Sequence, residues 1–313
     1  MSFDGAGWHE KWQYFNAIAD QAPVEYTMFL SGIYLVDSDH RAAYTGPGHP
    51  PGRASIAWMS RDEVIQEAKD LNGGYDRGYE IGTHYNGHFC SDNPPGGADW
   101  TTAQWNDELS QFFDFLRNYK TINGFSDADA PDLKFGADEV KGGRTPCLEG
   151  DVEQLFPALK AHGMDYDSSP SRLGLSWPTP GPATGVWKMG MPEFPIAGTD
   201  HRTIIMDYNF WYTQEGAQTA SPEKAAQDRR QVLQTYRNMY QAAHNGNRAP
   251  IIIGNHFNDW NHNAYNSAVG DFVLETCGQP DTYCVTFSDV IDWMEMQDPA
   301  VLAHLQSLPP ELG

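Results

Sequence analysis

Hydrophobic positions along this 313-residue chain change period repeatedly. Trp105, Leu109, Phe112, Phe113 and Leu116 fall at i, i+4, i+7, i+8 and i+11, one face of a helix. Such an aromatic stripe belongs to a core rather than to a ligand site. Ser60-Arg61-Asp62-Glu63 is a capping box, and it opens a helix carrying Val64, Ala68 and Leu71 with Gly73 as its expected stop. Asp151–His162 predicts another helix, ended by Gly163, in which Pro157 implies a kink or a late start. Ser221-Pro222-Glu223 caps a long helix carrying Val232, Leu233, Tyr236, Met239 and Tyr240, stopped by Gly246. A last helix runs from Ser288 to Met296.

Between these helices lie short apolar or alternating runs that read as strands: Tyr26–Ser31, Tyr79–Thr83, Arg202–Tyr208, Pro250–Asn255 and Cys284–Phe287. Strands alternating with helices predict an α/β fold, a parallel sheet with helices outside. The length suits a β/α barrel, and no repeat or linker divides it, so residues 1–313 are expected to form one domain. Three irregular inserts, Asp37–Ala54, Ser91–Asp99 and Pro170–Gly198, adjoin strand ends, where barrel enzymes build their sites. Trp177 and Trp187 in the third would suit the apolar faces of sugars, or equally pack on the barrel rim.

Candidate chemistry begins at Gly82-Thr83-His84-Tyr85-Asn86-Gly87-His88, which delivers two histidines four residues apart. Two imidazoles on one turn can share a divalent cation such as zinc, leaving positions for a carboxylate and water. The zincin pattern does not fit, because Tyr85 stands where that motif needs glutamate. Three other segments complete a set: Ser2-Phe3-Asp4-Gly5, Gly143-Arg144-Thr145-Pro146-Cys147 and Ile251-Ile252-Ile253-Gly254-Asn255-His256-Phe257.

In this order the four segments resemble the motifs of the polysaccharide deacetylase family, the NodB-homology carbohydrate esterases, from the first residues to about Trp293. The resemblance implies an irregular seven-stranded (β/α) barrel and a metal-dependent hydrolase removing N- or O-linked acetyl groups from a glycan. It implies Asp4 as general base, His256 as general acid, and His84 and His88 as metal ligands. Arg144 cannot deprotonate at working pH, so it positions rather than accepts protons. Asp207 resembles the family's fourth-motif acid, and an Arg144–Asp207 pair is expected to orient Asp4.

Two departures stand out. The family's first motif carries adjacent aspartates, but here Asp4 is followed by Gly5, so the carboxylate ligand is missing and either Asp4 or a loop carboxylate such as Asp92 must complete the shell. Cys147 occupies a position where an aromatic residue is usual. Two further readings therefore stand beside the deacetylase: a catalytically silent glycan-binding protein on the same barrel, and a hydrolase of a non-acetyl amide or ester. His9, His40, His49, His162, His201, His244, His262 and His304 lack such context and read as surface residues.

Charge and cysteines add location. A formal net charge of −22 repels nucleic acid and anionic lipid, and favours a neutral or cationic substrate. No apolar stretch of membrane length and no basic run is present. The first motif starts at residue 2, so a strand placing Asp4 is expected to begin upstream of a processed or trimmed start. Four cysteines, an even number, suit an exported protein, secreted or at the cell surface. Cys277 and Cys284 flank a turn-forming insert and should bridge locally. Cys90 and Cys147 should pair if the motifs they follow meet at one barrel rim.

Overall fold

The computed structural model describes residues 1–313. Its first five strands are β1 (Ser2–Gly5), β2 (Thr27–Leu30), β3 (Glu80–Thr83), β4 (Gly142–Gly143) and β5 (Tyr166–Asp167). Short strands β6 (Ser171–Leu173), β7 (Thr179–Pro180), β8 (Trp187–Lys188), β9 (Met191–Pro195) and β10 (Arg202–Ile204) follow, and β11 (Gly254–His256) comes last. The helices are α1 (His9–Ala19), α2 (Arg61–Asp76), α3 (Thr102–Ile122), α4 (Val152–Ala161), α5 (Asp207–Glu215), α6 (Pro222–Asn245), α7 (Trp260–Thr276), α8 (Phe287–Glu295) and α9 (Pro299–Ser307).

The main sheet has the order β11-β1-β2-β3-β4-β5-β8-β7. Its first seven members run parallel, and only β7 is antiparallel to its neighbour. The seven-stranded parallel arrangement is therefore present, as an open, curled half-barrel. Beyond β11 the ladder continues only through Gly254 N donating to Ile205 O, which leads into a small sheet of order β10-β9-β6. β1 itself carries Asp4.

The capping box forms: Ser60 Oγ accepts from Glu63 N and Glu63 Oε2 accepts from Ser60 N. Gly73 does not stop that helix, which runs on to Asp76. Its neighbour Gly74 serves packing, since a Cβ there would lie 2.7 Å from the Trp12 ring, whereas a Cβ on Gly73 would meet open space. All five residues of the α3 stripe are buried, as are Leu155 and Leu159 of α4, whose Pro157 is accommodated within the helix.

Three expected strands are shorter than their apolar runs. The run from Arg202 ends at Ile204, and Asp207 becomes the first residue of α5. Only Gly254–His256 of the late run joins the sheet. Cys284–Phe287 makes a single bridge, to Val24, before Thr286 caps α8. The reason lies under the barrel: buried Glu80 accepts from Phe287 N, Ser288 N, Ser288 Oγ and Tyr166 OH, so the helix end docks on a carboxylate.

The Pro170–Gly198 insert carries β6 to β9 and is built into the rim. Trp177 stacks on Trp293 and donates to Asn247 O, and Trp187 donates to Glu295, so both rings are buried and unavailable to sugars. His49 is likewise no surface residue: it is buried, stacked 3.7 Å from Phe89, with Nε2 at 2.8 Å from Pro95 O. No helix is long and apolar enough to cross a membrane.

Candidate active site

Parallel strands deliver their C-terminal ends to one rim, and the candidate residues sit there. Asp4 is in β1, His84 follows β3, Arg144 follows β4, and His256 ends β11. β1 and β11 pair with Asp4 opposite His256, so these side chains leave the same face of neighbouring strands.

Asp4 is buried and its Oδ1 accepts from Arg144 Nη1 at 2.7 Å. Arg144 is itself fully buried. Its Nη2 donates to Ser168 Oγ at 2.8 Å, its Nε to Ser168 O, and its guanidinium carbon lies 4.8 Å from the centre of the Phe29 ring. Burial pushes the Asp4 carboxyl up, but Arg144, His84 and His256 together outweigh it and hold the group below its ordinary value. Gly254 makes room for this pair, because a Cβ there would stand 3.0 Å from Arg144 Nη1.

Asp207 does not pair with Arg144, contrary to expectation. As the first residue of α5, its carboxylate turns to His256. Oδ1 lies 2.7 Å from Nδ1, and Oδ2 accepts from the His256 backbone N–H at 2.7 Å. This contact assigns the Nδ1 proton and leaves Nε2 to face the site. Burial lowers the affinity of His256 for a proton, but Asp207 and then Asp4 more than compensate, so its pKa is raised.

His84 and His88 have ring centroids 5.2 Å apart, close to the roughly 5 Å expected of two imidazoles on one tetrahedral ion with bonds of about 2.0–2.1 Å. His84 Nδ1 lies 2.8 Å from Arg144 O, while its buried Nε2 has no partner. An imidazole tethered at one nitrogen with the other left bare is a preorganised ligand. Burial pulls its pKa down to about 3, and burial also lowers that of His88, so both rings are neutral and able to donate lone pairs. These features fit a divalent cation. A third protein ligand is another matter. The ligand atoms that approach within 4.8 Å of one another in threes are those of His88, Cys90 and Cys147, and neither Asp4 nor exposed Asp92 joins such a group.

The loop between the histidines is set by a residue hidden in the α3 stripe. Buried Glu108 accepts from Asn86 N through Oε1 and from Asn86 Nδ2 through its backbone carbonyl, and Tyr44 OH donates to it. Burial pushes Glu108 up to about 7. Tyr85 (φ 58°) and His88 (φ 56°) adopt the left-handed conformation that this turn requires. Ser168 and Glu108 escaped notice in the sequence, where they carry no motif, and Gly254 was read only as part of the His256 segment; the charge at Glu108, embedded in an apolar helical face, was the one available signal. Both expected disulfides form, Cys90–Cys147 and Cys277–Cys284.

Beside His256 the rim is aromatic. Trp260 lies 5.0 Å from the imidazole, Trp211 stacks on Trp260, and Tyr208 and Tyr212 extend the cluster, with Tyr212 64% exposed.

No family model matches the sequence, and no curated protein does. Among solved structures the chain is similar to a candidate polysaccharide deacetylase from Mycobacterium smegmatis. That match has a TM-score of 0.53 and 14% identity, over 96% of this chain and 79% of that one. A peptidoglycan deacetylase from Bacillus subtilis aligns at a TM-score of 0.47 and 11% identity, over 98% and 95% of the two chains. A family 4 carbohydrate esterase pseudoenzyme from Bacillus anthracis aligns at 0.47 and 11%, over 93% and 64%. At such identities the likeness is one of architecture. The chain has the polysaccharide deacetylase fold, the NodB-homology half-barrel that its four motifs implied.

Proposed function

We propose that this protein is a metal-dependent hydrolase that removes acetyl groups from an extracellular glycan. The observation that carries the reading is a pair of proton-handling groups on neighbouring strands, each with its own clamp: Asp4 held by Arg144, and His256 held by Asp207. Their affinities for protons are displaced in opposite directions, which is the arrangement an acid–base pair needs.

Hydrolysis of an acetyl ester or amide calls for an activated water and a proton for the leaving group. Asp4, ionised and fixed by Arg144, takes the proton from the attacking water. His256, protonated at Nε2, gives one to the departing oxygen or nitrogen. His84 and His88 would hold the divalent cation, zinc suiting their donor set best, which when bound polarises the carbonyl and acidifies water. The Tyr208–Trp211–Tyr212–Trp260 cluster offers flat apolar faces to a sugar ring beside His256, and the strong negative charge suits a neutral or partly deacetylated polymer. Two disulfides and the absence of free cysteines suit an oxidising, extracellular setting.

Acetate release from a panel of N- and O-acetylated glycans, with and without a chelator, tests the reading; a chelator-sensitive release that Asp4→Asn and His256→Ala abolish is expected. One observation favours the silent glycan-binding reading: no carboxylate joins the two histidines as a third ligand. Glycan binding without acetate release, in protein supplied with zinc, would establish that alternative.

A further inference from the structure

The sulfurs of Cys90 and Cys147 form a disulfide, and with His88 beside them they make a group of three metal-ligating residue types whose ligand atoms all lie within 4.8 Å of one another. We propose that opening this disulfide creates a second metal site, in which His88, Cys90 and Cys147 bind zinc as a histidine–dithiolate triad. The disulfide is then a switch: closed, it leaves His88 to the pair with His84; open, it gives His88 two thiolate partners.

The geometry needs little movement. Cys90 Sγ lies 3.8 Å from His88 Nδ1. A tetrahedral zinc with bonds of about 2.0–2.1 Å to nitrogen and about 2.3 Å to sulfur holds such atoms roughly 3.6 Å apart. The two sulfurs would have to separate to roughly 3.8 Å on the same bond lengths, a matter of side-chain rotation at Cα atoms already 6.1 Å apart. His88 and Cys147 both hold left-handed φ angles of 56°, and Leu148 follows at 58°, so the staple closes two loops that carry conformational strain and would relax once freed.

Access is asymmetric in a way that favours reduction here. Each disulfide has one buried cysteine, Cys90 and Cys277, but the partner of the first, Cys147, is exposed, whereas the partner of the second, Cys284, is half-buried. Exposed disulfides are the labile ones. A thiolate of an external dithiol attacks Cys147 Sγ, and the S–S bond breaks to release Cys90. The dithiol's second sulfur then displaces Cys147, so the dithiol leaves as a cyclic disulfide and the two cysteines gain two electrons and two protons. Zinc binding expels those two protons, because thiolates rather than thiols are ligands, and water fills the fourth position. Nothing in this depends on hydrolysis of a glycan, and its failure would leave the deacetylase reading untouched.

The test is a cobalt(II) titration read by absorbance, without substrate, on the intact chain. The disulfide is first reduced with a phosphine, which becomes its oxide at the expense of water and, unlike a dithiol, does not hold the metal in a thiolate chelate. Reduced wild-type protein should develop a thiolate-to-cobalt charge-transfer band saturating at one equivalent, bleached by zinc. Oxidised protein should show no such band, even where His84 and His88 take up cobalt. Cys277→Ser/Cys284→Ser should keep the band after reduction, Cys147→Ser should lose it, and His88→Ala should weaken cobalt binding by at least roughly tenfold. A thiolate band in oxidised protein, a band that survives Cys147→Ser, or no band in reduced protein would each overturn the proposal. So would reduction that unfolds the chain, by near-ultraviolet circular dichroism, without recovery on adding zinc.

Discussion

Asp207 grips His256 twice, accepting from the imidazole Nδ1–H at one carboxylate oxygen and from the backbone N–H at the other, each at 2.7 Å. The double contact fixes ring and strand end together. Asp207 can do so because it opens a helix instead of ending a strand, which swings its carboxylate away from Arg144.

The pH profile follows from that contact. Activity needs Asp4 ionised and His256 protonated. Asp4 is held below its ordinary value and His256 above 6.5, so kcat/KM should be flat between an acid limb below the usual aspartate range and an alkaline limb above 6.5. In Asp207→Asn the larger compensating charge is gone and only Asp4 still opposes burial, so the alkaline limb should move to lower pH and the rate fall by about 10²–10⁴-fold. An unmoved limb would detach Asp207 from His256.

Arg144 should resist replacement in a graded way. Arg144→Lys keeps the charge but loses the fork that reaches Asp4 and Ser168 together, and a loss of about tenfold or more in kcat is expected with the fold intact. Arg144→Met strands a buried carboxylate, at a cost of about 3–5 kcal/mol in stability. Denaturant melts of the two variants, beside their rates, separate the effects.

Glu108 should favour the folded state at mildly acidic pH. Glu108 is raised from 4.5 to about 7 by burial, so the folded state binds a proton that the unfolded state has released between those values. Its contribution is therefore complete below pH 4.5 and is lost as pH rises through about 7. Asp167, also raised to about 7, acts in the same direction. His84 and His88, lowered by burial, act in the opposite direction below pH 6.5, so the test is the difference between variants: from pH 5 to 8 the melting temperature of the wild type should decline relative to that of Glu108→Gln, which cannot ionise. A slope unchanged in that variant would remove Glu108 as its source.

Gly5 sits where the family's metal aspartate is expected, at φ 86° with 3.8 Å between its would-be Cβ and the Tyr34 ring. There is room for a side chain, and aspartate tolerates positive φ better than most residues. Gly5→Asp should tighten zinc binding at His84 and His88 in a calorimetric titration. Affinity that stays the same would mean the new carboxylate does not reach the ion.

Much of this was legible in the sequence, for physical reasons that differ by element. The α3 stripe and the Ser60 cap were readable because helix periodicity and capping are local. His84, His88, Arg144 and His256 were readable because each sits in a short motif at a strand end. The ends of strands were not: Asp207 and Phe287 begin helices because of partners far along the chain, His256 for one and Glu80 for the other. Long-range clamps leave no local pattern, and so Ser168, which accepts from Arg144, and the role of Gly254 in admitting Arg144 stayed hidden.

The central claim is that Asp4 handles a proton and does not hold the metal. Rate and bound zinc measured together on Asp4→Asn test it most directly. Asp4 is engaged by Arg144 and forms no close group with the two histidines, so the variant should lose about 10²–10⁴-fold in rate while keeping the zinc content of the wild type. An inactive variant stripped of zinc, or one with full activity, would contradict the account.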